Sequence, residues 1–394
     1  MSPQPPEQLA NPPEDSRQPR PPADADRQAE VIIVGAGPIG LELAVVLKHM
    51  GVDYLHLDAG QVGQTVTRYP QQTRFFSSPE RIAIAGVPLT LSDHNRASRE
   101  QYLAYLRSVV QQFDLKVNTF ERVTDIKQSD GEYRFTLHTD RRGTPHTYQA
   151  KHLVLAVGDM HGPRKINVPG EDLPHVSHYF DEPHRYFNQR LLIVGGRNSA
   201  VETALRCYHA GAQVSLSYRW GGFDERLVKY GILPEIKALI EHERVKFYPY
   251  TLVREITAEH VVLEDSGLRG QDAGPGVTDL ATTPAEASGE LTHVPADFVL
   301  LLTGYVMNTE LFAMAGVELV GENCSPKHDL STMETNVPGL YVAGTAAAGT
   351  QVRFRLFIEN CHPHVAKIAR NITGQQPPMH LINQAAKQFA LPES

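Results

Sequence analysis

Short apolar runs and amphipathic stretches alternate along the chain from residue 31 onward. The run VIIV (31–34) is typical of a buried parallel strand, and a glycine-rich turn follows it. The segment LELAVVLKHMG (41–51) then has apolar residues at helical spacing and ends at a glycine. The segment VDYLHLD (52–58) predicts the next strand. This order of strand, turn, helix and strand predicts a βαβ unit with a parallel sheet.

The same order of elements returns in the middle of the chain. Residues 191–219 read LLIVGGRNSAVETALRCYHAGAQVSLSYR, which predicts a strand, a glycine turn, a helix, a glycine stop and a strand. Tyr218 follows Gly195 by the same number of residues as Asp58 follows Gly35. Two such units in one chain predict an α/β fold with two Rossmann-like dinucleotide-binding domains.

The first glycine turn carries the G-x-G-x-x-G spacing of a nucleotide-binding loop. Its candidate binding residues are Gly35, Gly37, Pro38, Ile39 and Gly40. Such glycines let the backbone approach a pyrophosphate closely, and the N-terminus of the following helix offers unpaired N–H groups to it. Asp58 ends the second strand, where a carboxylate can accept both hydroxyls of an adenosine ribose. The alternative is that the glycines serve the steric needs of the turn alone.

The second glycine turn departs from that pattern. Its candidate binding residues are Gly195, Gly196, Arg197, Asn198, Ser199 and Ala200. Arg197 would place a cation near a pyrophosphate, and Ala200 still permits close packing of the helix on the strand. Arg219 stands where an acidic residue would bind a ribose, and an arginine can pair with a 2′-phosphate instead. This favours NADPH over NADH, unless Arg219 is a solvated charge at the end of the strand.

Composition and charge narrow the function further. The 394 residues carry a formal net charge of −8, so nucleic acid is not an expected partner. No apolar run approaches the length that spans a bilayer, and no secretory signal is visible at the N-terminus. Three widely spaced cysteines indicate a reducing compartment rather than a disulfide framework, so a cytoplasmic location is expected.

Two stretches are too polar to belong to a packed core. Residues 1–29 are rich in Pro, Gln, Asp and Arg, and we expect a disordered tail there. Residues 266–290 lie between two segments with strand patterns, VVLED (261–265) and LTHVPADFVLLLTG (291–304). The simplest interpretation is a long surface loop within a β-meander.

Taken together, these segments resemble the two-dinucleotide-binding-domain flavoproteins of the thioredoxin-reductase type, over residues 30–374. The resemblance implies an FAD-binding domain formed by 30–160 and 318–394, with an NADPH-binding domain, 161–317, inserted in it. FAD would lie on Gly35–Gly40 and Asp58, and NADPH on Gly195–Ala200 and Arg219.

A late strand and turn, NVPGLYVAGTAAAGTQ (336–351), complete that resemblance. They add Gly344, Thr345 and Gln351 to the residues expected at FAD, and the N-terminus of the helix after them could face the flavin ring. Thr345 stands where this type of flavoprotein usually has an Asp that contacts the ribityl chain.

Within that type, the chain most resembles the YpdA-like bacillithiol disulfide reductases. The segments that carry the resemblance are RYPQQTRFFSSPERIAIAGVP (68–88), PGEDLPHVSHYFDEPHRY (169–186), VGGRNSAVETAL (194–205) and LFIEN (356–360). The resemblance implies FAD, NADPH, reduction of a low-molecular-weight disulfide and a homodimer. That family's reactive cysteine lies within the first glycine motif, at the position of Ile39, and an isoleucine cannot form a mixed disulfide.

A thiol relay would need another cysteine close to the flavin. Cys207 is expected in a helix core and Cys324 in a distant loop. Cys361 lies on the segment expected beside the flavin, and His362 or His364 could lower the pKa of its thiol or deliver a proton. Cys361 and His362 are therefore the candidate catalytic residues, and the alternative is a passive helix cysteine.

Several functions remain open at this stage. The chain could be an NADPH-dependent flavoprotein reductase acting on a small disulfide or a related acceptor, or it could reduce a protein such as ferredoxin. A flavin-dependent monooxygenase is disfavoured, because the segment before the second glycine turn lacks the F-x-G-x-x-x-H-x-x-x-[YF] register. A non-catalytic flavin redox sensor is the remaining alternative. No metal site is expected, since His362 and His364 would not face one ion on a helix.

Overall fold

The computed structural model describes residues 27–92, 95–225, 227–269, 291–351 and 356–385. The strands, in chain order, are β1 (Arg27–Val34), β2 (Tyr54–Asp58), β3 (Val117–Thr119), β4 (Glu121–Gln128), β5 (Phe135–Arg141), β6 (Thr144–Leu155), β7 (Gly162–Pro163), β8 (Val176–Ser177), β9 (Arg190–Val194), β10 (Gln213–Tyr218), β11 (Lys246–Pro249), β12 (Thr251–Ile256), β13 (His260–Asp265), β14 (Thr292–Pro295), β15 (Phe298–Leu301), β16 (Tyr305–Val306), β17 (Leu319–Val320), β18 (Ser325–Pro326) and β19 (Leu340–Val342). The α-helices are α1 (Pro38–His49), α2 (Gln64–Thr67), α3 (Pro79–Ile82), α4 (Arg99–Gln112), α5 (Asn198–His209), α6 (Leu233–Glu241), α7 (Glu310–Met314) and α8 (Ile358–Thr373).

The larger sheet has the strand order β3-β2-β1-β6-β5-β4, and β19 also pairs with β6. The strands β3, β2, β1, β6 and β19 run parallel, whereas β4 and β5 form antiparallel pairs. Val34, Leu155 and Val342 are paired across the last positions of β1, β6 and β19. The carboxyl ends of these strands therefore meet at one edge, where ligands bind in open α/β sheets.

The core explains why the first βαβ unit forms. Val31, Ile32 and Ile33 of β1 are fully buried, as expected for a strand covered on both faces. Helix α1 starts with Pro38, whose missing N–H costs nothing at that position, and it buries residues on nearly every side. It packs against α8, so two distant parts of the chain come together in this helical pair.

A second, fully parallel sheet has the order β11-β10-β9-β15-β8, and β12, β13 and β14 form a separate antiparallel sheet. The strand–turn–helix–strand order predicted for residues 191–219 is confirmed as β9, α5 and β10. The apolar segment 291–304 is two strands rather than one. Pro295 ends β14, and Asp297 accepts hydrogen bonds from Arg190 before β15 begins in the other sheet.

The structure describes only the edges of the two polar segments that were predicted to lie outside the core. Strand β1 begins at Arg27, so the tail predicted for residues 1–29 is too long by three residues. Arg27 and Ala29 pair with Tyr148 and Ala150 of β6, which holds this polar strand end in the sheet. The remainder of that tail, 1–26, and most of the predicted loop, 270–290, lie outside the described residues. The domain boundaries stay a prediction.

Candidate functional site

A cavity of about 960 Å³ lies at the carboxyl edge of the larger sheet. It is large enough for a cofactor of dinucleotide size. The sequence-predicted residues on its wall are Gly35, Gly37, Pro38, Ile39, Asp58, Asn198, Ser199, Gly344 and Thr345. The wall, taken over the described residues, does not include Gly40, Gly195, Gly196, Arg197, Ala200, Arg219, Gln351, Cys361 or His362. The structure therefore brings the N-termini of α1 and α5 to one cavity.

The glycines of the first turn have different roles. A Cβ added to Gly40 would lie 2.0 Å from the Gly35 carbonyl oxygen, so this position is fixed by close packing of the helix on the strand. A Cβ added to Gly37 would meet nothing within 4 Å, and its φ of −75° suits any residue. No contact among the described residues requires a glycine there. The bare backbone of Gly37 at the positive end of α1 fits a closely bound phosphate group.

Asp58 lies at the end of β2 beside that turn and on the cavity wall. Its two carboxylate oxygens accept hydrogen bonds from the backbone N–H groups of Ala36, at 2.6 Å, and Gly60, at 2.7 Å. Burial raises the pKa of Asp58, and these two N–H groups lower it in part. The carboxylate thus shapes the turn, and each oxygen keeps a lone pair for a further donor.

The apolar part of the wall is formed by Ile39 and the turn after β19. A Cβ added to Gly344 would lie 3.6 Å from the Ile39 Cβ, and the Gly344 N–H donates to Nδ1 of His364 at 3.2 Å. Burial lowers the pKa of His364 to about 3, so its ring is neutral and its Nδ1 can accept. His364 therefore holds the turn at Gly344.

The structure argues against the predicted thiol role of Cys361. Its side chain is fully buried, and it does not line the cavity. Burial raises the pKa of its thiol far above the ordinary value, with a smaller contribution from the charge of Asp159. A thiol in this position is held in its unreactive protonated form.

His362 is engaged elsewhere and is also fully buried. Its Nδ1 lies 2.7 Å from Oε2 of Glu42, and its Nε2 lies 2.9 Å from the carbonyl oxygen of Arg81. Both partners are acceptors, so both ring nitrogens carry protons. Burial alone would lower the pKa of His362, but the charge and hydrogen bond of Glu42 outweigh it and raise the pKa. His362 thus ties α8 to α1 instead of serving the cavity.

One functional candidate was missed by sequence reasoning. Asp159 follows β6, has only 7% of its surface exposed and lines the cavity. Its carboxylate accepts hydrogen bonds from Nε2 of Gln351, at 2.9 Å, and from the Thr345 side chain. Gln351 also bonds the backbone of Leu356 through both ends of its amide. Only the position of Asp159 after a predicted parallel strand could have indicated it.

The second glycine turn lies between β9 and α5. The ring of Tyr218 covers Gly196 so closely that a Cβ there would lie 2.3 Å from it. Arg197 is the N-cap residue of α5, and Ala200 is buried against the strand. Burial lowers the pKa of Arg197, and the neighbouring charges of Arg219 and Arg164 lower it further. Arg219 and Arg164 are thus near enough to Arg197, the N-cap residue of α5, for their charges to act on its pKa, and Arg164 is the one that sequence reasoning did not find.

Helix α5 is held against the segment 71–76, of which residues 73–76 line the cavity. Arg206 donates to the carbonyl oxygen of Gln71 at 2.7 Å and to Oγ1 of Thr73 at 3.3 Å. The ammonium group of Lys229 lies 3.6 Å from the centre of the Phe76 ring, and the backbone N–H of Lys229 donates to Oδ1 of Asn198 at 2.8 Å. These contacts keep Asn198 and Ser199, at the start of α5, on the cavity wall.

Within the described residues, no helix is long and apolar enough to cross a membrane. In the same part of the chain, no three His, Cys, Asp or Glu side chains are grouped as metal ligands.

Comparison with known proteins agrees with this layout. Residues 32–272 match the family described as pyridine nucleotide-disulphide oxidoreductase. Over 349 residues, the chain is 34% identical to the bacilliredoxin reductase Bdr of Bacillus subtilis, covering 89% of this chain and 99% of that protein. The bacillithiol disulfide reductase Bdr (YpdA) of Bacillus cereus superposes with a TM-score of 0.78 at 34% identity, covering 88% and 99% of the two chains. A ferredoxin–NADP reductase of Ignicoccus hospitalis is 27% identical over 80% of this chain and 89% of its own length.

These similarities confirm the predicted fold class and the resemblance to the YpdA-like reductases. Members of the matched family use FAD and NAD(P)H. The bare backbone of Gly37 at the N-terminus of α1, which we call the phosphate cradle, and the carboxyl edge of the larger sheet fit such a dinucleotide. The chain therefore belongs to the pyridine nucleotide-disulphide oxidoreductase family and is an FAD-dependent oxidoreductase.

Proposed function

We propose that this protein takes a hydride from NADPH through FAD and delivers the electrons to a small disulfide or a related acceptor. The observation that carries the proposal is the single cavity that reaches from the N-terminus of α1 to the N-terminus of α5. Both predicted nucleotide sites border it, so a nicotinamide and a flavin could meet there. Bound FAD would supply the hydride-accepting centre and the two-electron store of this reaction.

The residues of the larger sheet would hold and orient FAD. The bare backbone at Gly37 would receive the pyrophosphate at the positive end of α1. The second lone pairs of the Asp58 carboxylate would accept from ribose hydroxyls. Ile39 and Gly344 would form an apolar contact surface at the other end of the cofactor, and this surface would exclude water from the site.

The residues around α5 would bind NADPH. Asn198 and Ser199 lie at the positive end of this helix, which favours the dinucleotide phosphates. Arg197, Arg219 and Arg164 are close enough to act on one pKa, and such a group of cations suits the 2′-phosphate of NADPH. Preference for NADPH over NADH would then rest on charge pairing at Arg219.

The electron acceptor would have to enter the cavity itself. Of the three cysteines in the chain, Cys207 and Cys361 are buried and Cys324 is exposed, and none of them lines the cavity. Ile39 occupies the position where the YpdA-like family has its reactive cysteine. We therefore propose no enzyme-bound mixed disulfide. For a disulfide acceptor the balance would be NADPH, one proton and RSSR giving NADP⁺ and two RSH.

The names of the relatives support a disulfide as the acceptor, since they include a bacilliredoxin reductase and a bacillithiol disulfide reductase. Ferredoxin is the acceptor in the name of a more distant relative. A homodimer and a cytoplasmic location stay predictions that rest on the family resemblance and on the cysteine content.

Anaerobic stopped-flow spectroscopy tests the proposal. The bound flavin is reduced with NADPH and then mixed separately with bacillithiol disulfide, ferredoxin or oxygen. The proposal predicts rapid flavin reduction by NADPH and reoxidation by the disulfide faster than by ferredoxin or oxygen. Fast reoxidation by ferredoxin alone, or hydroxylation coupled to oxygen uptake, would overturn it.

A further inference from the structure

Asp159 is a buried carboxylate that none of the predicted roles explains. Carboxylates are seldom buried unless they are paired or functional, and the partners of Asp159 are all neutral: an amide, a hydroxyl and its own backbone N–H. It is one of the polar groups on the cavity wall. Burial raises the pKa of its carboxyl group, which hydrogen bonds from Thr345 and Gln351 offset only in part.

The order of strands in the larger sheet locates Asp159 relative to the cofactor. The neighbours across the sheet are β2, β1, β6 and β19, in that order. Their carboxyl ends carry Asp58 after β2, the Gly37 turn after β1, Asp159 after β6 and Thr345 after β19. Adjacent strands lie ~4.8 Å apart, so the end of β6, which leads to Asp159, is about one strand spacing from the end of β1, which leads to the Gly37 turn.

This strand order predicts which part of the dinucleotide would lie near Asp159. If the pyrophosphate lies on the Gly37 turn and the adenosine ribose at Asp58, the other half of FAD extends over β6 and β19. The first segment of that half is the ribityl chain, which carries hydroxyl groups. A carboxylate accepts hydrogen bonds from hydroxyl groups, and each of its oxygens has two lone pairs.

The partners of Asp159 hold its carboxylate in a fixed position. Gln351 approaches Oδ2 at 2.9 Å, and the amide of Gln351 is itself fixed by two bonds to Leu356. Thr345 donates from the adjacent turn. The backbone N–H of Asp159 itself donates a third hydrogen bond, and four lone pairs less these three bonds leave an acceptor site for a ligand in the cavity.

We propose that Asp159 is a cofactor-binding residue whose carboxylate accepts a hydrogen bond from a ribityl hydroxyl group of FAD. The inference rests on the proposed placement of FAD at Gly37 and Asp58. Thr345, which follows β19, has no carboxylate for this role. The inference gives the role to Asp159, which follows β6. Thr345 and Gln351 then act as positioning residues that orient Asp159.

Binding of FAD analogues to the apoprotein tests this assignment without any measurement of activity. Affinities are determined by flavin fluorescence for FAD and for analogues that lack the 2′, 3′ or 4′ hydroxyl of the ribityl chain. The wild type should bind at least one deoxy analogue ~10-fold more weakly than FAD, because a hydrogen bond to a charged group is lost. The Asp159→Asn variant should bind FAD ~10-fold more weakly and should lose most of this discrimination.

The Asp58→Asn variant is the matched control. It should weaken FAD and every deoxy analogue by the same factor, because it acts at the adenosine end. If Asp159→Asn does not fold, Thr345→Val provides the second variant, and it should reduce the discrimination by freeing the carboxylate.

Three outcomes would count against these ideas. Equal binding of FAD and all deoxy analogues by the wild type would overturn the assignment, and so would full discrimination by Asp159→Asn. In both cases the proposed function would stand, because FAD binds. A wild-type apoprotein that does not bind FAD at all would instead overturn the proposed function and this inference together.

Discussion

Ile39 packs against Gly344: a Cβ added to this glycine would lie 3.6 Å from the Ile39 Cβ. The contact joins the N-terminal turn of α1 to the turn after β19, and both residues line the cavity. A side chain without a thiol thus occupies the position at which the resemblance to the YpdA-like reductases implies a reactive cysteine. Any account of electron transfer in this protein has to do without that cysteine.

The burial of the cysteines predicts their reactivity. In the native protein only Cys324 should react with a thiol reagent, because it is exposed. Burial raises the pKa of Cys207 to about 12 and that of Cys361 further, so neither offers a thiolate at neutral pH. Labelling with iodoacetamide before and after unfolding, read by mass spectrometry, measures this directly. Rapid native labelling of Cys361 would show that its surroundings open.

Gly37 and Gly40 of the first turn predict different effects of the same substitution to alanine. Gly37→Ala should fold normally but bind FAD ~10-fold or more weakly, about 1.4 kcal/mol, because the new methyl group enters the phosphate cradle. Gly40→Ala should impair folding, because its Cβ would overlap the Gly35 carbonyl oxygen. Thermal unfolding of the apoprotein and FAD titration separate the two effects. A Gly37→Ala protein with normal FAD affinity would show that the phosphate lies elsewhere.

Substitution of Arg219 should change the choice of nicotinamide nucleotide. A charge-assisted hydrogen bond to the 2′-phosphate contributes about 1.5–3 kcal/mol, so Arg219→Ala should bind NADPH ~10-fold or more weakly and NADH unchanged. Titration of flavin reduction with each nucleotide gives the two affinities. Arg254→Ala, on β12, is the control and should change neither. An equal loss for both nucleotides would contradict the proposed role of Arg219.

The buried pair of His362 and Glu42 predicts a loss of stability when it is broken. His362→Ala should lower the free energy of unfolding by about 3–5 kcal/mol, because Glu42 loses its buried counter-charge and keeps only hydrogen bonds from the backbone N–H groups of Ala85 and Asn383. The matched control is His209→Ala. Its pair with Glu235 has nearly the same length, 2.6 Å, but the two side chains are 61% and 47% exposed, so the loss should be far smaller. Urea unfolding measures both.

This stabilisation should also depend on pH. The pKa of His362 is raised in the folded protein above its ordinary value of 6.5. The contribution is therefore complete below about pH 6.5 and is lost as the pH rises through the folded pKa. The difference between wild type and His362→Ala should shrink as unfolding is repeated at increasing pH. A difference that grows with pH would contradict the assignment of a charged His362.

Much of the fold could be predicted from the sequence, because the signals are local. The glycine turns and the helical spacing after them identified both βαβ units at residues 31–58 and 191–219. The break within 291–304 was missed because the apolar run looks continuous in the sequence. Residues 295–297 interrupt it only in the folded protein, where they connect β14 in one sheet to β15 in another. The start of β1 was missed because its polar residues are held by β6, a partner more than a hundred residues away.

The candidate site could be predicted only where a motif marks it. Asp159 belongs to no motif, and its contacts to Thr345 and Gln351 depend on the tertiary fold. The burial of Cys361 did have a sequence signal. Val365 and Ile368 follow it at helical spacing, which places the cysteine on the core face of α8 rather than toward the cavity.

The central claim is that electrons pass from NADPH through FAD to the acceptor with no thiol of this chain. The most direct test is a variant without cysteines, Cys207→Ala, Cys324→Ser and Cys361→Ala, in anaerobic stopped-flow with the acceptor that the wild type reduces fastest. The rate constants for flavin reduction by NADPH and for its reoxidation should stay within ~3-fold of the wild type, which is less than 1 kcal/mol. Normal reduction by NADPH with reoxidation slowed ~100-fold or more would contradict the claim and show that a cysteine carries the electrons.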